Sequence, residues 1–287
     1  VDKSVSIDKK LPNNWILVSF GSGKTWVPAL KRISRSIADE RLELAYIPYD
    51  NKWLEKSIYW QELEAHVQNE PKGYGLWVWK PLILLDALNK NASCSGIIYL
   101  DAGCELNFNQ KSKLRLNEYL NLAIKDNITA FELPAQERDY TYPWIIDRVF
   151  PNLPKDMPQI SATAFFMKNC PENRSLLLEW YSEMNNNNFE NIKSSESNDF
   201  TARRLRPSFI TNRHDQSILS LLLRKYGVKP IPDETYWYPN WIQAGIDYPI
   251  WATRNRTSIG SNSFYIKRKW MRYFFEKLST PKLDFLK

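Results

Sequence analysis

A short apolar run, Gly96-Ile97-Ile98-Tyr99-Leu100, ends on a carboxylate, Asp101, and Ala102-Gly103-Cys104 follow it. Apolar residues without polar alternation read as a strand buried on both faces, as in sheets covered by helices on both sides. Such a strand delivers its terminal acid to the rim of the sheet, and small residues beside it leave room for a ligand. A plainer reading stands next to this one, in which Asp101 caps a strand-to-loop turn.

The flanking pattern supports the sheet. Trp15 to Phe20 reads as a first strand and Gly21-Ser22-Gly23 as its turn. A helix is expected from about Trp26 to Ala38, with Val27, Leu30, Ile33 and Ile37 at three- and four-residue steps. Leu42 to Ile47 reads as a second strand, which completes a β-α-β opening and starts a parallel sheet. Helices are expected over 53–69, 81–88, 114–124, 174–184 and 215–226, and strands over 128–133, 160–167 and 228–231. The polar stretches Asn185–Asn188 and Ser194–Asn198 read as a loop or mobile lid. The fold class is α/β, a mostly parallel central sheet flanked by helices. With 287 residues, 43% of them hydrophobic, the chain suffices for one large domain.

The charge balance limits the partners. A net charge of +7 suits an anionic small molecule, an anionic lipid or nucleic acid. No RNA-binding signature or zinc-finger spacing occurs, which argues against nucleic acid. The 12 Trp and 15 Tyr offer flat faces with polar edges, suited to sugars and bases as well as to cores. Cys94, Cys104 and Cys170 form no disulfide framework, so a reducing compartment is the simpler expectation. No apolar run approaches the roughly 18–20 residues of a membrane span, and no signal peptide is visible. The chain begins with Val, as a portion of a longer protein would.

Several motifs carry candidate chemistry. Gly21-Ser22-Gly23-Lys24-Thr25 ends like a phosphate loop but starts too late to be one, because position 18 is Val. Gly73-Tyr74-Gly75-Leu76-Trp77-Val78-Trp79-Lys80-Pro81 combines two glycines that admit close backbone approach, two alternating tryptophans and a cation at a helix start. Its bland reading is a buried Gly/Trp turn with Lys80 solvated. Asn212-Arg213-His214-Asp215-Gln216-Ser217 opens a helix. Asp215 is either a cap or a general base, and His214 a metal ligand, a phosphate contact or a satisfied surface group. Arg203-Arg204-Leu205-Arg206 and Arg254-Asn255-Arg256 are basic patches able to grip a diphosphate. Residues 264–278 mix aromatics with cations and read as a basic amphipathic helix, on a membrane or on the core.

Read in order, Gly73–Pro81, Asp101–Asn107 and Arg213–Leu222 resemble the motif strings of GT-A glycosyltransferases of the bacterial capsule and lipopolysaccharide (O-antigen) type, over roughly residues 15–256. The resemblance implies a GT-A, Rossmann-like domain over 1–287. Its nucleotide-binding part is about 15–110, its acceptor side about 128–256, and its basic tail 264–287. It implies sugar transfer from a nucleoside diphosphate sugar, UDP-linked and galactose-type by analogy, to a glycan or lipid-linked glycan. Ser19, Phe20, Gly21, Lys24, Tyr74, Trp79, Lys80, Asp101, Ala102, Gly103 and Arg254 would then line the donor. Asp101 and His214 would hold Mn2+ or Mg2+, with Gly103 standing where a DxD motif has its second acid. The reaction expected is inverting, with Asp215 the first choice of base and Glu132 and Glu137 after it. The setting implied is cytoplasmic, with peripheral contact at the inner face of the membrane through 264–278 as an option. A non-catalytic carbohydrate- or nucleotide-binding module and a nucleotidyltransferase remain the rival classes.

Overall fold

The computed structural model describes residues 14–40, 42–236 and 244–260. The chain opens with β1 (Trp15–Gly21), α1 (Gly23–Asp39) and β2 (Ala45–Asp50), the expected β-α-β unit. Next come α2 (Asn51–Glu55), α3 (Trp60–Asn69), a tight turn α4 (Gly73–Leu76) and α5 (Lys80–Lys90), which lead to β3 (Gly96–Leu100). The short β4 (Glu105–Leu106), α6 (Gln110–Asp126), β5 (Ile128–Gln136), α7 (Glu137–Tyr140) and α8 (Pro143–Val149) precede β6 (Pro158–Lys168). The remainder is α9 (Pro171–Asn185), α10 (Glu196–Leu205), α11 (Asp215–Lys225), β7 (Ile231–Pro232) and β8 (Ile250–Trp251).

Six strands form the central sheet in the order β2-β1-β3-β6-β5-β7, and β4 and β8 pair in a small second sheet. β1 runs parallel to both β2 and β3, and β5 parallel to β7, while β6 lies antiparallel between β3 and β5. One strand of six is therefore reversed, and the sheet is mixed but mostly parallel. Period-two alternation sends side chains to both faces. Ile16, Val18, Ile97, Tyr99, Phe165 and Met167 join the core beneath α5, α9 and α11. Trp15, Leu17, Ile98, Leu100 and Phe166 join the core beneath α1 and α6. The continuous apolar runs of β1 and β3 are what a sheet covered on both faces demands.

The structure corrects several expected elements. The single helix over 53–69 is two helices, and Asp50 starts the first by accepting from the Trp53 amide at 3.0 Å. The strand over 228–231 is only Ile231–Pro232. Of the stretches expected to be a loop or mobile lid, 186–188 and 194–195 lie outside the helices as expected, whereas 196–198 begin α10, which Ser195 caps through the Asn198 amide. The tail over 264–278 lies outside the described residues. Among those described, no helix is long and apolar enough to cross a membrane.

Candidate functional site

From β1 the chain moves through α1 to β2 on one side, then returns through α2–α5 to β3 on the other. The carboxyl ends of β1 and β3 therefore flank a topological switch point, the place where open α/β sheets bind ligands. Asp101 follows β3 at that point, and its amide extends the ladder to the Thr163 carbonyl at 2.8 Å.

Three charged side chains meet there. Lys80, the first residue of α5, is 2% exposed. Its ammonium lies 3.2 Å from Asp101 Oδ1 and 2.7 Å from Asp215 Oδ2, and donates to the Ala162 carbonyl at 3.0 Å. Those three oxygens match the three N–H donors of a lysine. Tyr99, two residues before Asp101 and thus on the same face of β3, donates its hydroxyl to Asp101 Oδ1 at 2.7 Å. Both bonds that orient Asp101 end on Oδ1, and its side chain keeps 30% exposure. Asp215, the first residue of α11, is 4% exposed. Burial pushes its carboxyl up to about 6, against the pull of Lys80. Burial also drags on the Lys80 ammonium, yet Asp101 and Asp215 outweigh it and hold the group above the ordinary lysine value.

The loop after Asp101 is clamped from below. Arg32 of α1, itself buried, donates to the carbonyls of Ala102 at 2.8 Å, Cys104 at 2.9 Å, Asn255 at 3.0 Å and Thr257 at 2.5 Å. The Asn255 amide donates to the Gly103 carbonyl at 3.0 Å, which ties the 253–257 segment to the same loop. A β-carbon on Gly103 would stand 3.0 Å from Arg254 Cα and 3.2 Å from Trp26 Cζ3. A side chain at the place of a second acid would therefore crowd the Arg254 backbone.

Lys80 is set by the turn before it. Gly73, Tyr74, Gly75, Leu76 and Trp77 all have positive φ, between 54° and 84°, which makes one left-handed helical turn. Tyr74, Leu76 and Trp77 pay about 1–2 kcal/mol each for that conformation. Surrounding contacts hold it. His66 Nε2 donates to the Gly75 carbonyl at 3.0 Å, Trp79 Nε1 to the Gly73 carbonyl at 2.9 Å, and the Tyr74 hydroxyl to Glu55 at 2.6 Å.

The expected donor residues fall into two groups. Ser19, Phe20, Gly21, Trp79, Lys80, Ala102 and Gly103 are buried. Ser19 donates to the Leu100 carbonyl at 2.7 Å, and Phe20 stacks on Trp79 at 3.9 Å. Asp101, Tyr74, Lys24 and Arg254 keep open surface. Lys80, expected beside a diphosphate, is instead the buried bridge between two acids. The candidate bases are dispersed. Glu137 is fully buried, accepting from Ser220, from Thr141 at 2.9 Å and from Gln159 at 3.2 Å, and burial pushes it up to about 7. Glu132 pairs with Arg224 at 2.8 Å, nine residues along α11 from Asp215 and hence roughly 13 Å away along its axis.

The donor set fits a divalent cation poorly. The position between Asp101 and Asp215 is taken by the Lys80 ammonium, and such ions want several oxygens. His214 is committed elsewhere. Its Nδ1 donates to the Ile192 carbonyl at 2.6 Å, and its Nε2 accepts from Lys72 at 2.9 Å, which defines a neutral ring. Burial lowers its basicity accordingly. Among the described residues no three His, Cys, Asp or Glu side chains gather in a cation-holding group.

Sequence reasoning missed Arg32 and Tyr99. The i, i+2 spacing of Tyr99 and Asp101 on a strand was a usable signal; nothing local marked Arg32.

The fold is α/β, with Asp101, Lys80 and Asp215 gathered at a switch point of its sheet. No family model matches the chain, and no curated protein matches it. Among solved structures it is similar to a glycosyltransferase involved in glycosylation of the major capsid of PBCV-1, with a TM-score of 0.44 and 12% identity over 90% of this chain and 99% of that one. It is also similar to mouse xyloside xylosyltransferase 1, with a TM-score of 0.43 and 13% identity over 86% of this chain and 99% of the other. A197 from STIV matches with a TM-score of 0.26 and 12% identity over 58% of this chain and 68% of that one. At such scores these likenesses carry no argument about activity.

Proposed function

We propose that the chain is a glycosyltransferase that moves a sugar from a nucleoside diphosphate sugar to a hydroxyl of a glycan acceptor. A UDP-linked hexose and cell-surface polysaccharide synthesis are the particular donor and setting we favour. The observation that carries the reading is Asp101 at the β1/β3 switch point, partly open, with Lys80 joining it to Asp215. A carboxylate fixed on one oxygen and open elsewhere is suited to accept hydrogen bonds from sugar or ribose hydroxyls. The motif strings over 73–81, 101–107 and 213–222 support the same class.

In the transfer, the bond from the anomeric carbon to the diphosphate oxygen breaks, and its electron pair leaves with the diphosphate. The acceptor oxygen bonds to that carbon and gives up its proton. Asp215 acts here as a positioning residue, since it is closed off and spent on Lys80. With Glu132 remote and Glu137 sealed, we favour the route that needs no protein base. The acceptor proton then passes to the departing diphosphate oxygen, and the anomeric configuration is retained.

The test is a binding and turnover screen with UDP-, GDP-, CMP- and dTDP-sugars, with and without Mn2+. One donor should bind and release free nucleoside diphosphate in the presence of acceptor glycans. Asp101→Asn should weaken that donor about tenfold or more, as loss of charge-assisted bonds does. Proton NMR of the product should show the donor's anomeric configuration. Pyrophosphate release would place the chain among nucleotidyltransferases, binding without turnover would make it a binding module, and an inverted product would restore a base.

A further inference from the structure

Arg203-Arg204-Leu205-Arg206, a basic patch suited in sequence to a diphosphate, lies at the end of α10 and the start of the turn after it. Ala202 and Phe209 are buried and fix this segment to the core. Its start is held as well, by the Ser195 cap and by the Tyr142 hydroxyl, which donates to Asp199 at 2.9 Å. The other side of the segment is open. Phe200 keeps 70% exposure, Leu205 63% and Ile210 50%. Three of the ten large apolar side chains exposed among the described residues thus fall between positions 200 and 210. Single exposed apolar side chains are ordinary, whereas a cluster marks an interaction surface. Phe200, Arg203 and Arg204 share one helix face by their three- and four-residue spacing. Arg203 Nη2 donates to the Ile210 carbonyl at 3.2 Å, which brings Ile210 beside that face. Arg203 and Arg204 are exposed, and among the described residues neither pairs with a carboxylate. Asp139 and Asp147 act on Arg206, their less exposed neighbour.

We infer that the outer face of α10 and the turn to Ile210 form a docking surface for an anionic lipid bilayer. Arg203 and Arg204 meet the headgroups, and Phe200, Leu205 and Ile210 enter the boundary beneath them. Two features select a bilayer. Cations without acid partners call for a negatively charged surface. Leu205 and Ile210 are aliphatic and cannot stack on bases, so a nucleic acid would leave them in water. A bilayer covers both kinds of side chain at once. Residues 261–287 of the chain itself make a poor cover. With seven Lys and Arg against two acids they carry the same sign as the patch. The docking surface uses none of the residues assigned to the crevice and does not depend on the reading of their chemistry.

The test is sedimentation of the full chain with vesicles of phosphatidylcholine alone and of phosphatidylcholine mixed equally with phosphatidylglycerol, at low and at high salt. The anionic vesicles should bind about tenfold or more tighter than the neutral ones, and high salt should shrink that difference. Arg203→Glu combined with Arg204→Glu should weaken binding to the anionic vesicles about tenfold or more, and Phe200→Ser about threefold or more. Both variants should keep the parent's circular dichroism and Tm, because the three side chains are exposed. Arg203→Lys combined with Arg204→Lys should bind nearly as the parent does, since a charged surface reads the charge and not the guanidinium fork. Binding unchanged by the double charge reversal places the contact elsewhere in the chain and overturns the inference. Loss on charge reversal with Phe200→Ser at parent affinity defines a site for any polyanion and overturns the lipid assignment. Equal binding to neutral and anionic vesicles, or no binding to either, overturns it as well.

Discussion

At the scale of single residues, the site is defined by what each group can still reach. Asp215 carried the strongest motif signal for a base, yet its carboxylate is spent on a lysine that sequence placed beside a diphosphate. The pairing of Lys80 with residues 21 and 135 positions away depends on where α5 and α11 start against β3, and no local pattern encodes that. Asp101 was legible because a buried strand ending in an acid is a local signal with a fixed structural meaning. Gly103 was legible as a departure from DxD; the closeness of the Arg254 backbone, 3.0 Å from where a β-carbon would stand, was not. Gly103→Asp restores the missing acid in sequence and should fail in structure. Its β-carbon meets Arg254 Cα at 3.0 Å, so a loss of about 1–3 kcal/mol is expected, as for overpacking elsewhere. Thermal unfolding and a Mn2+ titration of the variant check this. Unchanged stability together with new Mn2+ affinity would count against the packing account.

At the scale of elements, hydrophobic periodicity placed α1, α5, α6, α9, α11 and the strands β1, β2, β3, β5 and β6 within a few residues of their observed bounds, while α4, α7, α8 and α10 were not expected. Period-two and period-3.6 patterns are properties of the chain itself. The misses lie where tertiary contact decides. The break between α2 and α3, at Lys56-Ser57-Ile58-Tyr59, has no glycine or proline to signal a helix stop. The left-handed turn over 73–77 demands positive φ at Tyr74, Leu76 and Trp77, which no propensity suggests beyond the two glycines beside them. That turn delivers Lys80, since the Trp77 carbonyl accepts from the Lys80 amide at 3.1 Å. Gly75→Ala tests its importance. The position has φ 84°, and a β-carbon would lie 2.8 Å from Val67 Cγ2. The substitution should cost about 2–3 kcal/mol by backbone strain and crowding, lowering Tm by several degrees, and should weaken donor binding in parallel because Lys80 and Asp101 shift with the turn. A stability loss with donor affinity intact would show that the turn serves the fold alone.

At the scale of the whole molecule, buried acids give stability a direction with pH. Glu137 is pushed up to about 7 and Asp215 to about 6, both chiefly by burial. A folded-state value raised above the unfolded one means that the native protein binds more protons in the interval between them. Stability is then highest on the acid side of that interval and falls as pH rises through it. Glu55, Glu179 and Glu190 are lowered and act in the opposite sense, but they are largely exposed, and solvent screening leaves their effect small. His66 and His214, whose basicity burial lowers, add stability as pH rises toward about 6.5 and oppose the two acids there, so the decline in Tm is expected above about pH 6.5, and Glu137's share is read by comparison with its own variant. Glu137 is the cleaner reporter, because Asp215 is coupled to Lys80. Glu137→Gln removes its ionisation, so the variant should be less stable than the parent at pH 5, where the neutral carboxyl is well accommodated, and should show a flatter decline toward pH 7.5. Calorimetric unfolding of both proteins across that range decides the matter. A variant whose slope equals the parent's would mean that Glu137 is ionised throughout and that its hydroxyl and amide donors outweigh its burial.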